Sequence, residues 1–230
     1  MIETFEAHLN AAQRETWCSL SSPFRIQSFL DAIPYSADPF NRCPLRVLQD
    51  NLANCFDGAI FAAAALRRLG HPPLLVNLFV EEETDDEHVV AIFKRDGFFG
   101  AVGKSNVVGL RFREPIHRSL RELTMTYFEY YFNIYGEKTL RSYSPPLNLE
   151  PFDRAGWMWR DEGLEPIIER LDRIRRIPLL TAQQVAELSP VDRRTFIATL
   201  MDADDAGLYR PAYPPPAGST VYDDPSLSRG

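Results

Sequence analysis

The stretch "NCFDGAIFAAAALRRLGHPP" (54–73) restricts the fold of this chain more than any other. From Cys55 to Leu69 apolar residues fall on nearly every side of a helical wheel, with Ile60, Phe61, Leu66 and Leu69 among five alanines. A helix that is apolar all round is a buried one, so the remaining chain has to wrap it. Asn54 is a good N-cap residue, and Asp57 three positions later completes a capping-box-like pair, although Glu or Gln is more usual there. Gly70 ends the helix, and Pro72 and Pro73 prevent its return.

Three strand candidates follow: "LLVNLFV" (74–80), "HVVAIF" (88–93) and "FFGAV" (98–102). The acidic run "EEETDDE" joins the first two. "KRDG" joins the last two, and its Asp96-Gly97 pair is a strong hairpin signal. The order is therefore buried helix, then antiparallel meander, which is an α+β class. A two-residue hairpin loop sets His88 opposite Ser105, with Lys104 and Asn106 beside it. A four-residue loop would set Gly103 there instead.

Around this centre, residues 5–18 read as one amphipathic helix. Residues 19–46 are Pro- and Ser-rich, with a short apolar piece at 26–33. "LRVLQ" leads into a polar link before Asn54. Residues 114–136 read as a further helix, with Pro115 in its first turn and Gly136 beyond its end. An irregular stretch (144–163) holds Trp157 and Trp159. Three short helical patterns follow: about 164–176, one from Thr181 with Gln184 as box partner, and one from Ser189 with Pro190 at its first position. The Pro/Gly/Ser-rich end reads as disordered. The expected organisation is a core domain at 1–143 with a helical lead-in, a helical C-terminal extension at 144–210, and a disordered tail at 211–230.

Bulk properties narrow the function. The formal net charge of -7 and pI near 5.2 argue against nucleic acid as a partner. No apolar run approaches the roughly 20 residues that span a bilayer, so no membrane role is expected. The N-terminus lacks a basic start followed by an apolar stretch. Three cysteines do not make a disulfide framework. A cytoplasmic protein with reduced thiols is the expectation. No Cys/His spacing suggests zinc, and neither a phosphate loop nor a dinucleotide fingerprint is present, so no cofactor or metal is expected.

With Asn54 as N-cap, Cys55 takes the first helical position. The free amides and dipole there favour a thiolate, the reactive form of a cysteine nucleophile. The same amides could hold an oxyanion. His88, at the opening of the second strand, is the candidate base. The group that orients its imidazole is Asn106 or Ser105, Asn106 being the more natural because an amide oxygen accepts from the ring. The plain alternatives are a core cysteine and a sheet-edge histidine. Cys18 and Cys43 read as ordinary small apolar residues, and His8, His71 and His117 lack partners. The acidic run reads as a solvated loop, or in a functional version as a group that stabilises an imidazolium and steers amine-bearing substrates. The aromatics 127–132 read as a packing face. Trp157 and Trp159 either clamp the C-terminal segment onto the core or line a substrate groove.

This order resembles the transglutaminase-like superfamily of papain-type folds: "NCFDGAIFAAAALRRLGHPP", then "DEHVVAIFKRDGFFGAVGKSN", within roughly residues 24–110. The resemblance implies a papain-like core, a Cys at the start of a buried helix, and His and Asp or Asn on adjacent strands. It also implies an oxyanion role for Gln49, six residues before Cys55. The chain departs from the pattern in the third strand, where an Asp-Pro ending is usual and "GKSN" stands instead. The implied activity is acyl transfer through a thioester on a peptide or protein amide, with water or an amine as acceptor. The alternative is an inactive papain-like scaffold that binds a partner protein through its C-terminal helices. An arylamine N-acetyltransferase-like activity ranks third.

Overall fold

A computed structural model describes residues 1–216 of the chain. The expected disorder of 217–230 lies outside the described residues. Five helices come first: α1 (Ile2–Ala7), α2 (Ala11–Ser19), α3 (Pro23–Ala32), α4 (Pro44–Asp50) and α5 (Cys55–Arg68). Four strands follow: β1 (Leu74–Val80), β2 (His88–Arg95), β3 (Phe98–Val102) and β4 (Arg113–His117). The rest of the chain supplies α6 (Leu120–Met125), β5 (Leu140–Tyr143), β6 (Leu147–Asn148), α7 (Glu165–Asp172), β7 (Ile177–Pro178), α8 (Ala182–Ala186) and α9 (Arg193–Thr199). The class is α+β, and the sheet is antiparallel, in the order β4-β3-β2-β1-β5-β7 with β6 also on β1.

α5 is the shaft the sequence announces. Every residue from Asp57 to Leu66 is buried, and the alanines let the helix lie close against β2. Asn54 and Asp57 form a reciprocal capping box, and Gly70 stands at φ 89° past the end. The β2–β3 loop has two residues, with Asp96 and Gly97 both at positive φ, and Ala91 pairs with Val102.

The sheet is buried on both faces. Leu75, Phe79, Val89, Ala91, Phe93 and Val102 pack with α5 on one. Val76, Leu78, Val90, Ile92 and Ala101 pack on the other with Leu123, Tyr127 and Tyr131. Strands β6 and β7 tie the chain beyond 143 into this sheet, and Trp157, fully buried, joins the α5 cluster.

Several elements differ from the sequence reading. Residues 5–18 are two helices, because Asn10 and Gln13 form a capping box that starts α2. Residues 114–136 do not form one helix. Pro115 lies within β4, an edge strand where a missing N–H costs nothing, and the helix begins only after the Ser119 cap. The last helix starts at Asp192, not Ser189, because the Asp192 carboxylate accepts from the N–H groups of Arg194 and Thr195. The stretch 26–33 and the "LRVLQ" lead-in are the full helices α3 and α4. Of the expected tail, two residues are tied to the body: Pro211 is buried, and the Tyr213 hydroxyl donates to Glu137 at 2.5 Å.

Candidate active site

The start of α5 is held from below by a buried charge cluster. Arg42, 3% exposed, donates its N–H to Asp57 (2.7 Å) and its guanidinium to Asp50 (2.9 Å), Ser36 (3.0 Å) and Asp38. Burial pushes the Asp57 carboxyl up to about 6, against the pull of the Arg42 and Asn54 N–H groups. A short parallel bridge between Tyr35 and Ala53 then brings Tyr35 beside the first turn of α5.

Cys55 sits at the first position of α5. It borders an open cavity together with Tyr35, Asp85, Asp86, Glu87 and His88. Its sulfur is 3.9 Å from the carbonyl of Glu87. Burial first, then the Asp86 charge, pushes the thiol up to about 11, although the Tyr35 hydroxyl and the Val89 main chain favour the thiolate. The helix-start field expected to activate the thiol is thus outweighed by desolvation and by neighbouring carboxylates.

His88 is 4% exposed and opens β2. Its Nε2 lies 2.8 Å from the Leu110 carbonyl, which can only accept, so Nε2 carries the hydrogen and Nδ1 the lone pair. Burial drives the imidazole down to about 4, the Arg113 charge adds to the fall, and the Leu110 bond opposes it. At neutral pH the site therefore holds a neutral thiol and a neutral imidazole. By strand parity His88 belongs with Val90 and Ile92, on the face away from α5, and its ring meets Tyr131 edge-on at 6.5 Å. It is nonetheless among the residues that line the Cys55 cavity.

Residues 103–106 all have other partners. The Gln27 side chain grips the Gly103 peptide, accepting from its N–H (3.1 Å) and donating to its carbonyl (2.9 Å). Lys104 is buried and donates to the carbonyls of Leu30 (2.7 Å) and Ile33 at the end of α3; burial lowers it to about 8. The Ser105 hydroxyl accepts from the Val107 N–H at 3.1 Å. Asn106 donates to the Asp204 carbonyl and accepts from the Asp204 N–H, both at 2.8 Å. Ser105 and Asn106 line the cavity with His88, but the bond on its ring comes from Leu110. Gln49 is exposed on α4 and is not among the residues that line the cavity.

The acidic run divides. Glu81, Glu82 and Glu83 are exposed, while Asp85 accepts from Thr139 (2.8 Å) and is raised to about 7 by burial. Glu87 accepts from Asn77 at 2.7 Å and meets Arg176 at 3.3 Å. Neither Trp157 nor Trp159 lines the cavity; Trp159 stacks on His8. Cys43 is buried, but Cys18 is exposed, unlike the small core residue it resembled in sequence. No group of three or more His, Cys, Asp and Glu among the described residues could hold a metal ion, and no helix there is long and apolar enough to cross a membrane.

Sequence reasoning missed Gln27, Tyr35 and the roof of the cavity, Gly207, Leu208 and Tyr209. Gln27 carried a signal, as a lone amide inside the apolar run "FRIQSFL". Tyr35 and the roof carried none.

No family model matches the chain, and no curated protein matches it. Among solved structures it is similar to Legionella pneumophila LapG, at 17% identity and a TM-score of 0.34 over 45% of this chain and 70% of that one. EGTA-treated LapG gives 17% and 0.34 over 45% and 67%, and calcium-bound LapG 16% and 0.33 over 45% and 68%. A likeness this weak defines neither fold nor chemistry.

Proposed function

We propose that this chain is a papain-type, transglutaminase-like domain that carries out thiol-dependent acyl transfer on a peptide amide. The observation that carries the reading is one cavity lined by a thiol at the start of a buried helix and by an imidazole of defined tautomer. With Nε2–H committed to the Leu110 carbonyl, Nδ1 is left as the base. The Leu110 carbonyl then does the orienting that the sequence assigned to Asn106 or Ser105. It is neutral, so it stabilises an imidazolium less than a carboxylate would.

In the proposed reaction Cys55 Sγ bonds to the amide carbonyl carbon while its proton passes to His88. That proton goes on to the departing amine as the C–N bond breaks, leaving a thioester. Water or a second amine then attacks the thioester and regenerates the thiol. Main-chain N–H groups at the start of α5, with the Tyr35 hydroxyl, hold the oxyanion. Because thiol and imidazole are both neutral at rest, kcat/KM should be flat from about pH 6 to 9. The rate of Cys55 alkylation should climb about tenfold per pH unit over the same range, following a thiolate with a pKa of about 11. A pre-formed thiolate–imidazolium pair would instead give pH-independent alkylation.

The second reading, a non-catalytic peptide-binding module, is favoured by the same raised thiol. Turnover of a fluorogenic peptide-amide library separates the two. Acyl transfer requires at least a hundredfold loss in both Cys55→Ala and His88→Gln. Unchanged turnover in Cys55→Ala leaves only the binding module.

A further inference from the structure

Residues 207–209 of the chain's own segment "DDAGLY" (204–209) line the cavity of Cys55, and the segment begins at Asp204, held by Asn106 of the same lining. Asn106 holds Asp204 through that residue's main-chain N–H and carbonyl, groups that carry no side-chain identity. Gly207 lies so close that a Cβ would stand 2.8 Å from Tyr35 Cδ1 and 2.9 Å from Asn106 Nδ2. Its φ is outside the range that favours glycine, so the demand is for space alone. Tyr35 in turn borders the thiol, and Leu208 lines the same cavity. The segment is a strap between two anchors. Before it, Phe196 of α9 stacks on Phe132 at 5.6 Å; after it, the Tyr213 hydroxyl joins Asn133 and Glu137. Between the anchors, Asp204, Asp205 and Ala206 are exposed, and residues 207–209 are half-buried.

We propose that residues 204–209 are an internal, displaceable peptide seated in the Cys55 groove. Asn106 reads the main chain, and the ligand of the site is a peptide that takes the same tight turn, in which the Gly207 N–H donates to the Asp204 carbonyl at 3.0 Å, with glycine at the position of Gly207. This deepens the reading of the pocket as a peptide site and rests on it for the class of ligand. It does not rest on catalysis, because a pocket without activity would be covered in the same way.

The test reads thiols, not turnover. The full chain is labelled with N-ethylmaleimide and each cysteine is followed by peptide mapping, with exposed Cys18 and buried Cys43 as internal references. Asn106→Ala and Gly207→Val should each speed Cys55 labelling at least fivefold and leave Cys18 and Cys43 unchanged. The peptide acetyl-DDAGLY-amide at millimolar concentration should restore slow labelling in Gly207→Val but not in Asn106→Ala, which lacks the reader. The same peptide with Val for Gly should protect neither. Unchanged Cys55 labelling in both variants, or no protection of Gly207→Val, overturns the proposal. Should a variant unfold, shown by a rise at Cys43, the native chain decides. Amide exchange at 204–209 should quicken on addition of acetyl-DDAGLY-amide, and unchanged exchange overturns the proposal.

Discussion

Gln27 and Asn106 use the same device. Each is a side-chain amide that donates to the carbonyl and accepts from the N–H of one distant residue, Gly103 and Asp204 respectively. They differ in surroundings. Gln27 is 1% exposed and fastens the end of β3 to α3, whereas Asn106 fastens the strap in contact with water. In a buried setting a broken grip leaves polar groups with nothing to bond; at the surface water replaces it. One grip is therefore part of the frame, and the other is a latch.

The sharpest way to break this comparison is Gln27→Ala. It strands the Gly103 N–H and carbonyl, and urea unfolding should show a loss of about 2–4 kcal/mol. A loss below about 1 kcal/mol would mean that the two grips are alike.

Next in size is the pH dependence set by His88, the ring nearest the framed end of β3. Its folded value of about 4 lies below the ordinary 6.5, so between these values the folded state binds fewer protons. Its contribution is complete above pH 6.5 and is lost as pH falls towards 4. Asp57 and Asp85, raised to about 6 and 7, act the other way: their contribution is present near pH 4 and lost as pH rises through those values. Subtracting His88→Gln from the native chain isolates the histidine. Between pH 7 and 4.5 the native chain should lose of order 2 kcal/mol more than the variant.

Gly103→Ala is smaller. The added Cβ would meet Val90 Cγ1 at 3.0 Å and stand 3.5 Å from His88 Nε2, which should cost about 1 kcal/mol in the same unfolding assay. The smallest effect is Asn106→Ala, under about 1 kcal/mol of stability, because water takes over its bonds. Its effect belongs to the strap.

How much of this was legible differs residue by residue. α5, its capping box and the Asp96-Gly97 hairpin could be read because helix periodicity, caps and turns are local. Cys55 and His88 could be named as candidates for the same reason. The face that His88 occupies could not. "HVVAIF" is apolar at successive positions because both faces of β2 are covered, so no alternation marks inside from outside. Pro115 misled because a proline at a helix start and one on an edge strand look alike in a single sequence. Leu110 could not be found at all, since any residue supplies a carbonyl.

The sequence by itself determined a buried helix with a thiol at its first position, followed by an antiparallel meander with a histidine at a strand opening. Only the tertiary structure decided what those groups can do. Burial and nearby carboxylates keep the thiol protonated, a main-chain carbonyl sets the tautomer of the imidazole, and residues 207–209 of the strap line the cavity. Caps and turns depend on neighbours within a few residues. Desolvation and long-range main-chain bonds depend on which surfaces meet, as with Asn106 and Asp204, 98 residues apart.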